Sequence, residues 1–135
     1  MLPTTAQSPA SGAATAATAT VLVVEDDESM RTLLRRMLER TGFAVVTAIN
    51  GRDGMERFRE HPVDIVITDM IMPEIDGVEL IQALRGKWPD VRIIAISGID
   101  YPYLRMALGC GAKATLRKPV DAARLVETVQ RVLAA

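Results

Sequence analysis

Residues 63–77 read VDIVITDMIMPEIDG, and this stretch contains the two patterns that decide the fold class. It begins with a short, almost continuous aliphatic run that ends at Asp69, which is typical of a strand covered on both faces by helices. The polar and proline-containing remainder predicts a loop. Beyond the loop, Val78, Ile81 and Leu84 have the spacing of one helix face. The stretch therefore predicts a strand, a loop and a helix in succession.

The same succession repeats along the chain. Further aliphatic runs predict strands at residues 21–24, 43–46, 91–96 and 114–117. Each run is followed by apolar residues at helical spacing, and the last of these helices contains Leu125, Val129 and Val132. Strands that alternate with helices through short connections predict an α/β fold, a doubly wound parallel sheet of five strands with five helices on its two faces.

Composition limits the domain organisation and the class of protein. Residues 1–20 carry no charged side chain and consist largely of Ala and Thr, so we expect a disordered leader followed by one domain over residues 21–135. The net charge of -1 argues against a nucleic-acid partner. No apolar run is long enough to span a membrane. A lone cysteine, Cys110, excludes an internal disulfide and fits a cytoplasmic location.

Polar residues follow four of the five predicted strands. Glu25 and Asp26 follow the first strand, Asp69 the third, Ser97 the fourth and Lys118 the fifth. In an open parallel sheet, ligands bind beyond the carboxyl ends of the strands, so these side chains are candidates for one site. Converging carboxylates favour a hard cation such as Mg²⁺, and a lysine with a hydroxyl can hold an anion. The combination predicts phosphoryl-transfer chemistry.

Each of these residues alone has a simpler interpretation. An acidic cluster before a helix often only caps that helix, Asp69 or Ser97 could be an ordinary loop residue, and Lys118 could be a solvated surface lysine. It is their occurrence together, each at a strand end, that favours a functional site over these interpretations.

These motifs resemble the receiver domain of two-component response regulators. Residues 23–28 are similar to the family's acidic first strand end, and residues 67–77 to its phosphoacceptor strand and proline turn. Residues 96–98 and 116–119 match the strand that ends in a hydroxyl residue and the lysine-proline motif. The resemblance covers residues 21–134 and implies a flavodoxin-like sheet with strand order 2-1-3-4-5.

The resemblance implies a phosphoacceptor and a metal site. Asp69 would take the phosphoryl group, and Glu25, Asp26 and Asp69 would hold Mg²⁺ with the backbone carbonyl of Ile71. The adjacent acids leave a choice of register between Asp26 and Asp27. Counting back from the start of the first helix selects Asp26, and Asp27 is then expected at the helix N-terminus.

The resemblance also implies a switch, at which this chain departs from the family. Ser97 would hydrogen-bond the phosphoryl group and move with it, and Lys118 would pair with it. The coupled position on the fifth strand, usually aromatic in the family, is Thr115. We therefore expect backbone movement of residues 97–103 to transmit the signal, with Tyr101 or Tyr103 supplying bulk.

Two apolar residues lie near the expected path of the hydrolytic water. Ile71 is two residues after Asp69, and Ile99 is two residues after Ser97. Neither can orient a water molecule, so we expect slow loss of the phosphoryl group.

Three classes of function stay open at this point. The first is a stand-alone receiver that is phosphorylated by a histidine kinase or a histidine phosphotransfer protein, with no output domain after residue 135. It would act on a downstream protein through residues 101–133, or as a phosphorelay intermediate. The second is a degenerate receiver that binds partners without phosphorylation. The third is an enzyme such as an aspartate-based phosphatase, which is disfavoured because Ile71 stands where a second aspartate is needed.

Overall fold

The computed structural model describes residues 19–72, 76–98 and 101–135, without the side chains of residues 101–103. The expectations for residues 1–18 of the leader, for Ile99, and for the Tyr101 and Tyr103 side chains therefore concern parts of the chain outside the described residues. The predicted boundary between leader and domain is wrong at residues 19 and 20, because Ala19 is buried and Thr20 belongs to the first strand of the sheet. Within the described ranges, none of the helices combines the length and the apolar character that crossing a membrane requires.

Five strands alternate with five helices, as predicted. The strands are β1 (Thr20–Val24), β2 (Ala44–Ala48), β3 (Ile65–Asp69), β4 (Ile93–Ser97) and β5 (Ala114–Arg117). The helices are α1 (Glu28–Glu39), α2 (Gly51–Glu60), α3 (Gly77–Lys87), α4 (Tyr101–Cys110) and α5 (Ala122–Ala134). All pairings are parallel and the order is β2-β1-β3-β4-β5, which confirms the fold class and the strand order.

The sheet buries apolar side chains on both faces. Val21 and Val23 lie in one cluster with residues of α1 and α5, whereas Leu22 and Val24 lie in a second cluster with residues of α3 and α4. Successive strand residues point to opposite faces, so a strand in the middle of a two-sided core must be apolar at every position. This is the physical reason for the continuous aliphatic runs in the sequence.

Short polar side chains cap the helices that begin near the carboxyl edge of the sheet. Asp27 Oδ2 accepts a hydrogen bond from the Met30 amide at 2.8 Å, which confirms the predicted role of Asp27 at the start of α1. Asn50 and Asp121 cap α2 and α5 in the same way. These caps satisfy amides that have no partner within the helix.

Several boundaries differ from the predicted ones: β1 begins one residue earlier, at Thr20, and β3 and β4 begin two residues later, at Ile65 and Ile93. Two further differences involve aromatic residues. Phe43 is buried before β2 rather than within it, and β2 extends to Ala48. Trp88, which the apolar spacing would add to the face formed by Val78, Ile81 and Leu84, instead ends α3. Its ring centroid lies 4.7 Å from that of Phe58. In both cases an aromatic ring fills space beside an element end, which a local spacing pattern does not register.

Candidate functional site

The strand order brings three carboxylates together at the carboxyl edge. β1 and β3 are neighbours, with Val24 opposite Thr68, so the residues that follow β1 lie beside the end of β3. Carboxylate oxygens of Glu25, Asp26 and Asp69 all lie within 4.8 Å of one another. Glu25 and Asp69 are 1% and 7% exposed, whereas Asp26 is exposed to solvent. The cluster is thus a partly buried acidic pocket with one open side.

Lys118 lies between two of these carboxylates. Its Nζ is 3.0 Å from Asp69 Oδ2 and 3.1 Å from Glu25 Oε1. β4 separates β5 from β3, so the two strands lie two strand spacings, or about 10 Å, apart. The Lys118 side chain, the Asp69 side chain and the hydrogen bond between them cover this distance together. The Lys118 amide donates to the Ser97 carbonyl at 3.0 Å, and the Lys118–Pro119 peptide bond is cis.

The single positive charge of Lys118 compensates only part of the negative charge of the three carboxylates in the pocket. Burial raises the pKa of Glu25 to about 7, with a smaller contribution from the Asp69 charge, against the opposing effects of the Asp27 amide and Lys118. Burial alone would lower the pKa of Lys118, but its hydrogen bonds and ion pairs with Asp69 and Glu25 raise it overall. Lys118 therefore stays charged while one buried carboxyl is only marginally ionised.

This donor set fits a divalent cation with oxygen ligands. Two of the three carboxylates are buried, and one ammonium group does not balance them. An added cation would offset the remaining repulsion, and the exposed Asp26 leaves a side on which ligand waters can remain. The residues present are thus compatible with a hard ion such as Mg²⁺.

The other predicted site residues lie around this pocket at different depths. Ser97 ends β4 and is 2% exposed. The Ile71 amide donates to Asp69 Oδ1 at 3.4 Å, and Ile71 is 40% exposed. Thr115 is half-buried on β5 and lines a groove of about 470 Å³ between α4 and α5, away from the carboxylates. The structure therefore brings the catalytic candidates together and leaves Thr115 apart from them.

Two residues that sequence reasoning did not select also shape the pocket. A Cβ at Gly77 would lie 2.6 Å from the Asp69 carbonyl oxygen and 2.7 Å from Met70 Cα, so only glycine allows this approach. Arg31 Nη1 donates to the Glu25 carbonyl oxygen at 3.0 Å. The glycine that opens α3 was a visible signal for close packing, but nothing in the sequence indicated the contact of Arg31.

A comparison of the sequence with protein families finds a match that includes residues of all five strands. The family model of the response regulator receiver domain matches residues 21–130. The chain belongs to this receiver domain family. Receiver domains are signalling proteins of two-component systems rather than classical enzymes; they interact with histidine kinases and bind Mg²⁺ at an acidic pocket.

Curated proteins similar to this receiver domain include two of nearly the same length. The response regulator receiver protein CpdR of Brucella abortus is 34% identical over 120 residues, covering 85% of this chain and 97% of CpdR. The chemotaxis protein CheY of Bacillus subtilis is 33% identical, with 84% and 96% covered. Part of the sensor kinase CckA of Brucella abortus, 12% of its length, is 37% identical to this receiver domain.

Solved structures show the same arrangement. A response regulator receiver domain protein from Clostridium thermocellum superposes with a TM-score of 0.81 at 30% identity, covering 85% of this chain and 94% of the other. The crystal structure of FixJ-N has a TM-score of 0.79 at 29% identity, with 85% of this chain and 93% of FixJ-N covered. The fold of this receiver domain is therefore that of its structural neighbours over nearly their full length.

Proposed function

We propose that this receiver domain accepts a phosphoryl group on Asp69 from a histidine kinase or a histidine phosphotransfer protein. In this reaction an Asp69 carboxylate oxygen attacks phosphorus, the bond from phosphorus to the donor nitrogen breaks, and the donor histidine keeps the electron pair. The product is an acyl phosphate on Asp69. The observation that carries the proposal is the position of Lys118 Nζ, 3.0 Å from Asp69 Oδ2, at the mouth of a three-carboxylate pocket.

Two further side chains have roles in this proposal. Lys118 pairs with the incoming phosphoryl oxygens in place of part of its present contact with Asp69. Ser97, at the end of the neighbouring strand, donates its hydroxyl to another phosphoryl oxygen. Because both groups already lie at the carboxyl edge, little reorganisation precedes the reaction. Preorganised donors of this kind account for most of the rate enhancement in enzymatic phosphoryl transfer.

Glu25, Asp26 and Asp69, with the backbone carbonyl of Ile71, would hold Mg²⁺. When bound, the ion supplies charge neutralisation between the carboxylates and the phosphoryl oxygens. The support is the convergence of the three carboxylates, and burial raises the pKa of Glu25 with a smaller contribution from the Asp69 charge. The negative charge of the carboxylates makes binding of a phosphoryl dianion unfavourable without a cation.

The proposed output is a change in protein contacts. Phosphorylation adds a charge of about -1.5 to -2 at neutral pH, and this charge has to alter a surface that a partner reads. The groove beside Thr115 lies on residues 101–133, and Leu108 on its rim is 50% exposed. Movement of Lys118 toward the phosphoryl group would reach this groove through Arg117 and Pro119, its chain neighbours, which line it.

Incubation with acetyl phosphate and Mg²⁺ tests the phosphoacceptor directly. Intact mass spectrometry is expected to show the gain of one alkali-labile phosphoryl group on the wild type and none on Asp69→Asn. Asp90→Asn, which changes the charge equally at an exposed position, is expected to keep the gain. Absence of the gain in the wild type, with acetyl phosphate and with a phosphorylated histidine phosphotransfer protein, would overturn the proposal in favour of a phosphorylation-independent module.

A further inference from the structure

The loop from Glu25 to Asp27 is held by its own side chains at two points. Glu25 Oε2 accepts a hydrogen bond from the Asp27 amide at 3.1 Å, and Asp27 Oδ2 accepts one from the Met30 amide at 2.8 Å. The Glu25 amide donates to the Ala48 carbonyl at 3.0 Å, which ties the start of the loop to β2. These bonds engage the carboxylates of Glu25 and Asp27 but leave the carbonyl oxygens of Glu25 and Asp26 to be satisfied by another donor.

Arg31 supplies that donor from the first turns of α1. Its Nη1 lies 3.0 Å from the Glu25 carbonyl oxygen and 3.4 Å from the Asp26 carbonyl oxygen. Nη1 carries two hydrogens, so one group serves both carbonyls. The Arg31 amide donates to the Asp27 carbonyl at 2.9 Å, so the helix holds the guanidinium in place over the loop. The side chain is half-buried.

The two carbonyls belong to the two residues that present acids from β1. Carboxylate oxygens of Glu25 and Asp26 lie within 4.8 Å of each other and of Asp69, although like charges at this distance repel. A loop of three acidic residues needs an external restraint to hold this arrangement. Arg31 restrains the backbone of both residues while its charge opposes the local negative potential.

We propose that Arg31 is a positioning residue that holds the Glu25 and Asp26 carboxylates in the geometry needed for Mg²⁺. This inference rests on the proposed function in one respect, which is that the cation bound by these carboxylates is Mg²⁺. Arg31 acts through the loop backbone, because its hydrogen bonds go to the carbonyl oxygens of Glu25 and Asp26 and it forms no ion pair with a carboxylate in the part of the chain that the structure describes. Loss of Arg31 therefore weakens Mg²⁺ binding, and saturating Mg²⁺ restores the rate of phosphorylation.

Three variants separate positioning from charge. Arg31→Met removes both hydrogen bonds to the loop carbonyls and keeps a long apolar stem, and Arg31→Lys keeps the charge without the planar fork. Arg35→Met is the matched control, because Arg35 is an exposed residue of the same helix with no ion pair among the residues that the structure describes. The Mg²⁺ affinity is measured by titration of backbone amide chemical shifts, and the phosphorylation rate with acetyl phosphate at low and saturating Mg²⁺.

We expect Arg31→Met to weaken Mg²⁺ binding by about 10-fold, which is the usual effect of losing a group that orients metal ligands. Arg31→Lys is expected to fall between Arg31→Met and the wild type, and Arg35→Met to bind as the wild type does. Unchanged or tighter binding by Arg31→Met would overturn the inference, since removal of a positive charge alone favours a cation. Equal weakening by Arg35→Met would also overturn it.

The remaining outcomes are also decisive. If Arg31→Met does not fold, Arg31→Lys carries the test, and wild-type affinity in that variant contradicts the inference. A reduced phosphorylation rate that saturating Mg²⁺ does not restore contradicts it as well. Failure of the proposed function has a different signature, because the wild type would then gain no phosphoryl group while the ranking of Mg²⁺ affinities stayed as expected.

Discussion

The two ends of β5 carry the same type of residue in opposite situations. Lys118 follows the strand at the carboxyl edge of the sheet, and its Nζ lies 3.0 Å from Asp69 and 3.1 Å from Glu25. Lys113 precedes the strand at the amino edge, is exposed, and forms no ion pair with any residue that the structure describes. One lysine is part of a buried charge network, and the other is solvated.

The carboxyl edge and the amino edge of the sheet differ in the same way as these two lysines. At the carboxyl edge, strands end between loops that lead into helix N-termini, where amides and a positive dipole end favour acids. Asp27 caps α1 there, and Glu25 next to it is almost fully buried. At the amino edge, charged residues such as Asp90 and Lys113 are exposed. Burial together with opposed charges, rather than the presence of charge, distinguishes the edge that carries the candidate site.

Replacement of Lys118 with methionine is the most severe test of this contrast. The variant leaves Glu25 and Asp69 without their cation and removes a donor for the phosphoryl oxygens, so the phosphorylation rate is expected to fall by about 100-fold. Lys113→Met is expected to react at the wild-type rate. Phosphorylation with acetyl phosphate, followed by intact mass over time, measures both variants. Equal rates in the two variants would contradict the contrast.

Two glycines at opposite ends of α3 extend the comparison to packing. Gly77→Ala at the carboxyl edge forces a Cβ against the Asp69 carbonyl oxygen and Met70 Cα, and is expected to destabilise the fold by about 1–3 kcal/mol. Gly86→Ala at the other end meets no atom within 4 Å, and is expected to stabilise by about 0.5–1 kcal/mol because alanine favours the helix. Urea unfolding of both variants checks the opposite signs.

The pH dependence of Mg²⁺ binding tests the burial of Glu25. Its pKa of about 7 means that a proton competes with the metal below that pH, so the affinity is expected to fall by about tenfold per pH unit as the pH decreases below 7 and to level off above it. Glu25→Gln is expected to bind weakly without this dependence, and His61→Asn, which removes the sole histidine, to keep it. An affinity in the wild type that stays constant from about pH 6 to 8 contradicts the prediction.

The smallest expected effect concerns the exposed apolar residues at the carboxyl edge. Ile71 is 40% exposed two residues after Asp69, and an asparagine there can orient a water molecule toward the acyl phosphate. Ile71→Asn is expected to shorten the phosphoryl lifetime by about threefold, which corresponds to less than about 1 kcal/mol. Ile49→Asn, at an exposed position after β2, is the control and should leave the lifetime unchanged. Release of inorganic phosphate follows the decay.

Much of the fold could be predicted because its signals are local. Aliphatic runs identify strands buried on both faces, and the first polar residue after each run identifies the strand end. Asp69 and Ser97 were found in this way, and they do end β3 and β4. Pairing between distant segments has no local signal, so the strand order was predicted from the family resemblance. The structure confirms that order.

The sequence by itself therefore determined the elements, the sheet and the edge on which the polar residues gather. Only the tertiary structure decided how those residues are used. Glu25 and Asp26 are adjacent acids, yet Glu25 is buried, with its amide bonded to β2 and its carboxylate paired with Lys118, whereas Asp26 is exposed. In the sequence, Arg31 cannot be distinguished from other arginines on a helix surface, whereas in the structure its guanidinium donates to the Glu25 carbonyl oxygen. Such contacts depend on where distant segments meet in space, which a residue's own neighbours in the chain do not encode.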